Sequence, residues 1–388
     1  MEKSRFWHPP AWKWLLLLIL LAGAGFLASW KPSPRPVKVE LLPFTDSPPA
    51  WNGAYSYLTI SPVDVETDHP RFESAIVASA PTVRRDSPVN EFQVDLHTGM
   101  FVVRQTDLFI SDTVSLSLTR THRAWDCCSR AFGVGTNHPY DICPTGTRHP
   151  YTYMDLNLED GRQIHFRRIS KGTGYADAVF RHEETSSEFY GAQIAWNGDG
   201  WTLKFRDGRR VLFPEAYYSK NYAQGAPFDM QDADGHHVQL KRDKKRNLEE
   251  IISPSLRKIT LKYDASDRII EAADDEGNIR KYSYDSSGHL EAVADASNIL
   301  YRFEYAPLIR WNYDPYLMTA VLDGKGKVLL KSAYTNGRIS EQKLPDGEVF
   351  RFRYIFGQAN EITETIVTLP SGKEKRFFFE HGIPSREE

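Results

Sequence analysis

The sequence predicts a mostly β protein: an array of β-hairpins forming a curved or spiralling antiparallel sheet, preceded by one N-terminal transmembrane helix. Three observations predict it. Aromatic residues reach 13%, with 19 Tyr, 21 Phe and 9 Trp, an enrichment that suits pleated, half-buried strands. A 21-residue register of apolar, Tyr-Asp and turn residues repeats from about Asp232 onward. An uncharged, leucine-rich run stands at the N-terminus.

The chain has 388 residues, enough for one large core or two modest ones. Its net charge is only -3, and Lys and Arg alternate with Asp and Glu. No basic stripe follows from that pattern, so nucleic acid is excluded as an expected partner.

At the N-terminus, Lys3, Arg5 and Lys13 precede the 17 uncharged residues from Trp14 to Trp30, after which Lys31 and Arg35 follow. That length is at the short end of what a spanning helix needs, and Trp12, Trp14 and Trp30 fall where indoles favour the two membrane interfaces. The positive flank directs the N-terminus to the cytoplasm. The other reading of residues 1–30 is a cleaved signal peptide, with Leu15 to Leu21 as its apolar segment and Ala22-Gly23-Ala24 as a small-residue cleavage site. Both readings export the body, and the first makes the membrane a partner through residues 14–30. Residues 31–90 carry Pro32, Pro34, Pro36, Pro43, Pro48, Pro49, Pro62, Pro70, Pro81 and Pro88, the composition of an extended stalk.

In the repeat, Arg242-Asp243, Tyr263-Asp264, Tyr284-Asp285 and Tyr305-Ala306 share one column, and Leu240, Leu261, Tyr282 and Phe303 share another two residues earlier. Leu248, Ile269 and Leu290 form a third column. Asp232, Asp274 and Asp295 recur at a turn position, with Ser253 between them. Alternation such as Tyr282-Ser283-Tyr284 is the period of a strand with one buried face. Asp275-Glu276-Gly277-Asn278 and Ser286-Ser287-Gly288 supply turn residues that tolerate positive φ. One hairpin cannot bury its aromatic face alone, so the rows must stack into a continuous sheet. The register slips at Arg310 to Tyr316 and recovers through Tyr334, Phe350, Phe352, Tyr354, Phe377 and Phe379. Upstream, Asn157 to Phe166 and Trp201 to Phe213 each read as a strand pair around Asp-Gly.

These Tyr-Asp columns with Ser-Gly or Asp-Gly turns resemble the YD repeats of Rhs and teneurin-type proteins. Thr98-Gly99, Thr106-Asp107-Leu108, Leu118-Thr119-Arg120-Thr121, Phe132-Gly133-Val134-Gly135, Tyr140-Asp141 and Trp201-Thr202-Leu203 resemble the domain that precedes those repeats. The likeness covers roughly residues 90–380 and divides the body into an Rhs-type N-terminal β domain at 91–225 and a YD-repeat β domain at 226–388. It implies a long sheet spiralling into a hollow shell, in some members around a toxic C-terminal domain. Thr136 and Asn137 stand where the family usually has Trp after Phe-Gly-x-Gly. The family's C-terminal core motif and toxin segment have no counterpart before Glu388, so an open, curved sheet is expected.

Catalytic spacings are absent. His182-Glu183-Glu184 lacks a second His four residues on, as a zincin helix requires. Asp232-Ala233-Asp234-Gly235, set in a calcium-loop frame, puts Met230 and Lys241 at ligand positions. His236 and His237 are neighbours on a strand and face opposite sides. Clustered carboxylates such as Asp274-Asp275-Glu276 fall on turns. No cofactor and no metal is expected, and the chain is read as a non-enzyme. Cys127, Cys128 and Cys143 are disulfide candidates, with a bridge from either of the first two to Cys143. The candidate binding residues are Trp311, Tyr313 and Tyr316, which crowd aromatics where the repeat breaks. The expected function is a membrane-tethered binding or scaffold module of the bacterial cell envelope, with a carbohydrate, protein or surface polymer as ligand. The alternatives are a truncated Rhs relative that docks a toxin or secretion partner, and a glycan- or peptide-active enzyme.

Overall fold

A computed structural model describes residues 77–79 and 92–388, apart from 125, 127, 161–162, 185–187, 217–221, 308–315, 359–360 and 381–382. The expected anchor at 1–30 and all of the stalk except 77–79 lie outside these residues. Among the described residues no helix is long and apolar enough to cross a membrane.

Strands dominate, as the alternation requires. A small sheet takes the order Val77–Ser79, Phe92–Asp95, Met100–Ile110, Leu116–Arg123 and Thr136–Asn137. Its centre is the hairpin of Met100–Ile110 on Leu116–Arg123, in register from Ile110↔Leu116 to Val102↔Arg123. A large sheet of 22 strands runs from Cys143–Gly146 to Ile383–Glu387, each strand antiparallel to the next along the chain. Its strand order forms a ring, although among the described residues no ladder joins its first and last strands. Pairing is unbroken through residue 225, between Arg210–Pro214 and Asp229–Gln231.

The predicted rows are hairpins: His237–Arg242 with Leu248–Ile252, Lys258–Tyr263 with Ile269–Asp274, Ile279–Tyr284 with Leu290–Ala294, and Ile299–Pro307 with Tyr316–Asp323. Leu240, Leu261, Tyr282 and Phe303 are all buried, as are Leu248, Ile269 and Leu290. Their neighbours point outward and pair across strands, for example Lys262 to Glu271 at 2.7 Å and Lys241 to Glu250 at 2.8 Å. The inward columns join the small sheet's apolar residues in one core.

Each row carries a bulge. Tyr263 lies opposite Ile269 while Lys262 lies opposite Glu271, which leaves Ile270 as the extra residue; the same shift precedes Arg242, Tyr284, Tyr305 and Tyr334. A bulge disrupts the ladder locally, and the carbonyl at its first residue is answered from the next row. Tyr263 donates its hydroxyl to Leu248 O at 2.9 Å, Tyr284 to Ile269 O at 2.5 Å and Tyr305 to Leu290 O at 3.0 Å. Later rows continue it, with Tyr334 on Met318 O at 2.6 Å and Tyr354 on Ile339 O at 2.7 Å. Arg242, the first member of the Tyr column, likewise reaches a carbonyl 15 residues back, Nε to Pro227 O at 2.9 Å.

The Asp of each pair closes the turn. Asp264 Oδ1 accepts the N–H groups of Ser266 and Arg268, both at 2.9 Å, and Asp285 does the same with Ser287 and His289. The fourth turn residue has positive φ, which glycine accepts without steric cost, as at Gly277 (φ 89°). Where the Asp is missing, at Ala306, no such turn forms. The strand runs on to Pro307, paired with Tyr316, and the insertion follows.

Replacing Tyr263 by Phe removes the donor for Leu248 O while keeping the ring. Unfolding in denaturant is expected to show a loss of about 1 kcal/mol, with an unchanged m-value.

Candidate functional site

The most elaborate side-chain chemistry lies where the small sheet meets the inner face of the large one. On the hairpin, Arg120 Nε and Nη2 grip Asp107 at 2.5 and 3.1 Å, with both side chains at most 3% exposed. Tyr282 of the large sheet donates its hydroxyl to the same carboxylate at 2.9 Å, and the Arg120 guanidinium sits 5.5 Å from the Phe303 ring centroid. Two further buried ion pairs involve the small sheet, Arg104 to Glu159 at 2.6 Å and Arg123 to Asp95 at 3.0 Å. Arg242 reaches Asp141 at 2.8 Å and also bonds Tyr140 O. Charges so deep are stable only when paired and hydrogen-bonded.

Backbone groups complete the junction. Ile269 N–H donates to Ala131 O at 2.7 Å, Val134 N–H to Gly288 O at 2.9 Å and Ile339 N–H to Gly99 O at 2.8 Å. Thr365 donates its hydroxyl to Leu96 O at 2.6 Å. At Gly133 (φ 85°) an added Cβ would stand 2.3 Å from Gly288 O, so this approach requires glycine.

His122 belongs to the same junction. Its Nδ1 contacts Thr136 Oγ1 at 2.9 Å, and its ring lies 5.8 Å from that of Tyr305. Burial, reinforced by the nearby His289 and Arg120, holds its pKa down at about 3. His289 stacks on Tyr305 at 4.8 Å and lies 4.7 Å from the Tyr316 ring.

Of the expected binding residues, Tyr316 is 38% exposed at the start of its strand, beside His289. Trp311 and Tyr313 lie outside the described residues. Cys143 is buried at the start of its strand, Cys128 is exposed, and Cys127 lies outside the described residues. Asp232, Asp234 and His236 bring one ligand atom each within 4.8 Å of one another. Two of the three groups are engaged in the turn itself, since the Asp232 carboxylate accepts from Asp234 N, His236 N and the His236 ring. His237 turns instead to Asp229, at 3.0 Å, as opposite-facing neighbours should. His182 is buried and bonds the carbonyl of His165 at 2.7 Å.

In the sequence, Asp107 and Arg120 stand out only as parts of a likeness, with no role attached to either. The signal that could have found them is a charge at an inward position of an apolar strand, repeated with opposite sign on the neighbouring strand.

Two outcomes follow from this geometry. Asp107→Leu leaves Arg120 buried without its carboxylate and is expected to destabilise the fold by about 3–5 kcal/mol in denaturant unfolding. His122 has a folded pKa of about 3 against 6.5 when unfolded, so the unfolded chain takes up the proton first. The stability His122 supplies is complete above pH 6.5 and is lost as pH falls toward 3. Unfolding of wild type and His122→Gln across that window should show the wild-type advantage shrinking with acidification.

Residues 92–166 match a family described as a domain of unknown function, DUF6531, a span that holds every small-sheet residue of this junction except Val77–Ser79. No curated protein matches the chain. Among solved structures, TcdB2-TccC3 is 12% identical, with 74% of this chain and 21% of that chain covered at a TM-score of 0.26. The Tc holotoxin pore of Photorhabdus luminescens, carrying a TccC3 mutation, is 13% identical over 74% of this chain and 20% of that chain, with a TM-score of 0.24. A porin-like protein from Bacteroides uniformis is 11% identical over 64% of this chain and 91% of that chain, with a TM-score of 0.20. The chain thus spans about a fifth of the length of the toxin chains it matches, and these TM-scores are too low to bear on shape or activity.

Proposed function

We propose that the chain is a binding or scaffold module of the Rhs/YD-repeat type, held at a bacterial cell envelope by its N-terminal segment. Its ligand is a carbohydrate, protein or surface polymer, met where the repeat is interrupted. The observation that carries this reading is the fate of Tyr316. The column tyrosines point toward the core with their hydroxyls committed to backbone carbonyls. Tyr316 opens the strand after the interruption, 38% exposed and backed by the His289 ring. A backed, partly exposed aromatic is a stacking platform for a sugar ring or an anchor for a protein side chain. Trp311 and Tyr313 add two aromatics to the same stretch of sequence.

A non-catalytic role is supported by how the carboxylates are used. Asp232, Asp264, Asp274, Asp285 and Asp323 each accept two backbone N–H groups of their own turns. The buried acids Asp95, Asp107, Asp141 and Glu159 each face an arginine.

The test is a triple variant, Trp311→Ala, Tyr313→Ala and Tyr316→Ala, screened with wild type on an array of envelope glycans and exported proteins. The variant is expected to lose about tenfold or more in affinity for whatever wild type retains while its thermal midpoint stays in place. Equal binding by the two proteins would remove this stretch as the binding site.

A further inference from the structure

Along one edge of the large sheet the turns share a single hydrogen-bond plan. In turns 232–236, 253–257, 274–278, 323–327, 344–348 and 369–373 the first residue donates its N–H to the carbonyl of the fifth, and the fourth donates to the carbonyl of the first. Three of the six begin with Asp, whose Oδ1 gathers the N–H groups of the third and fifth residues, and two begin with Leu344 and Leu369 but keep Gly at the fourth position. The turn 253–257 begins with Ser253. Its hydroxyl accepts Arg257 N–H at 3.1 Å, but a single hydroxyl cannot replace a carboxylate that takes several donors at once. The fourth residue, Leu256, holds φ at 65° and is 77% exposed, so this turn also lacks the glycine that relieves strain there.

The missing carboxylate comes from elsewhere. Asp112 sits at the tip of the small sheet's hairpin, between Met100–Ile110 and Leu116–Arg123. Its Oδ2 accepts the Ser253 hydroxyl and its Oδ1 accepts the Ser255 hydroxyl at 2.7 Å. Arg257 donates to Ser111 O at 3.3 Å, and its guanidinium also holds Asp275 and Glu276 of the neighbouring turn. The opposite edge offers a second case. Arg242 replaces Tyr in its column, and the surplus donors of its guanidinium take Asp141 and Tyr140 O from the segment after the small sheet's last strand.

We infer that the large sheet holds the small one through two departures from its own repeat, Arg242 and Ser253, and that the turn 253–257 accepts a hairpin tip presenting a carboxylate. A complete turn would reject the same tip, because an Asp at 253 would face Asp112 as a second carboxylate. Leu344 and Leu369 begin turns of the same plan without a side-chain donor for a carboxylate, so the Ser253 hydroxyl is the first-residue group that selects the tip at this turn.

The full chain can be tested in four forms: wild type, Asp112→Asn, Ser253→Asp, and the double variant. Thermal midpoints are read together with hydrogen exchange of the amides in residues 108–118. Each single change is expected to lower the midpoint and speed exchange at the tip, one by removing the carboxylate and the other by opposing it with a second. The double variant restores the turn's own carboxylate and offers it a side-chain amide donor from the hairpin tip, so both readouts should return most of the way to wild type. Additive losses in the double variant, or singles indistinguishable from wild type, would overturn the assignment.

Discussion

The carbonyl exposed at each bulge is the constraint on which the architecture rests. A bulge increases twist and bends the strand, which a long sheet must do if it is to curve around a core rather than extend flat. The same bulge takes a backbone carbonyl out of the regular ladder at a buried position, where an unpaired acceptor costs about 1–3 kcal/mol. The tyrosine of the following row supplies the donor, so each row's polar defect is satisfied only once its neighbour has folded beside it. Curvature, burial and cooperation between repeats thus have one chemical origin, and the separation of 15 residues between donor and acceptor in four of the five tyrosine bonds shows the same contact recurring from row to row.

Against a wall built this way, departures from the pattern have identifiable consequences. Arg242 keeps the column's reach to a carbonyl 15 residues back through one guanidinium nitrogen and spends the others on Asp141 and Tyr140 O. Tyr282 stands where Leu240 and Leu261 stand in other rows, and its hydroxyl reaches Asp107. Ala306 removes a turn carboxylate, and the chain leaves the repeat there. The first two of these exceptions lie against the small sheet and its following segment, and the third at the interruption.

Much of this was legible in the sequence, for physical reasons. The apolar columns, the strand pairs around Asp160 and Asp207, and the turn role of Asp232, Asp274 and Asp295 follow from period-2 alternation and turn chemistry, both local properties that a linear pattern displays. What the column of tyrosines does was not legible, because a tyrosine packed in a core and one bonding a carbonyl 15 residues back look alike in a string. Nor was the pairing of Arg120 with Asp107 and Tyr282, or of Asp112 with Ser253. Those partners are separated by 13, 175 and 141 residues, and nothing in a strand's alternation tells which distant strand faces it. The segment 31–90 illustrates the same limit, since Val77–Ser79 pairs with Phe92–Asp95 inside a stretch whose prolines read as a spacer.

The packing also distinguishes the two faces of the large sheet. The inner face of the wall, from the strand of Leu240 to that of Phe379, is in contact with the small sheet and its flanking turns. A ligand there would have to displace an apolar core and several buried ion pairs, whose charges could not be left unpaired in a low dielectric without large cost. The outward side chains include cross-strand Lys-Glu and Arg-Glu pairs such as Lys262–Glu271 and Arg376–Glu364, and also exposed apolar groups, Ile270, Val328, Ile355 and Phe356. Tyr316, the first described residue after the interruption, is likewise partly exposed, and the buried His289 behind it ties it to the tyrosine column through Tyr305.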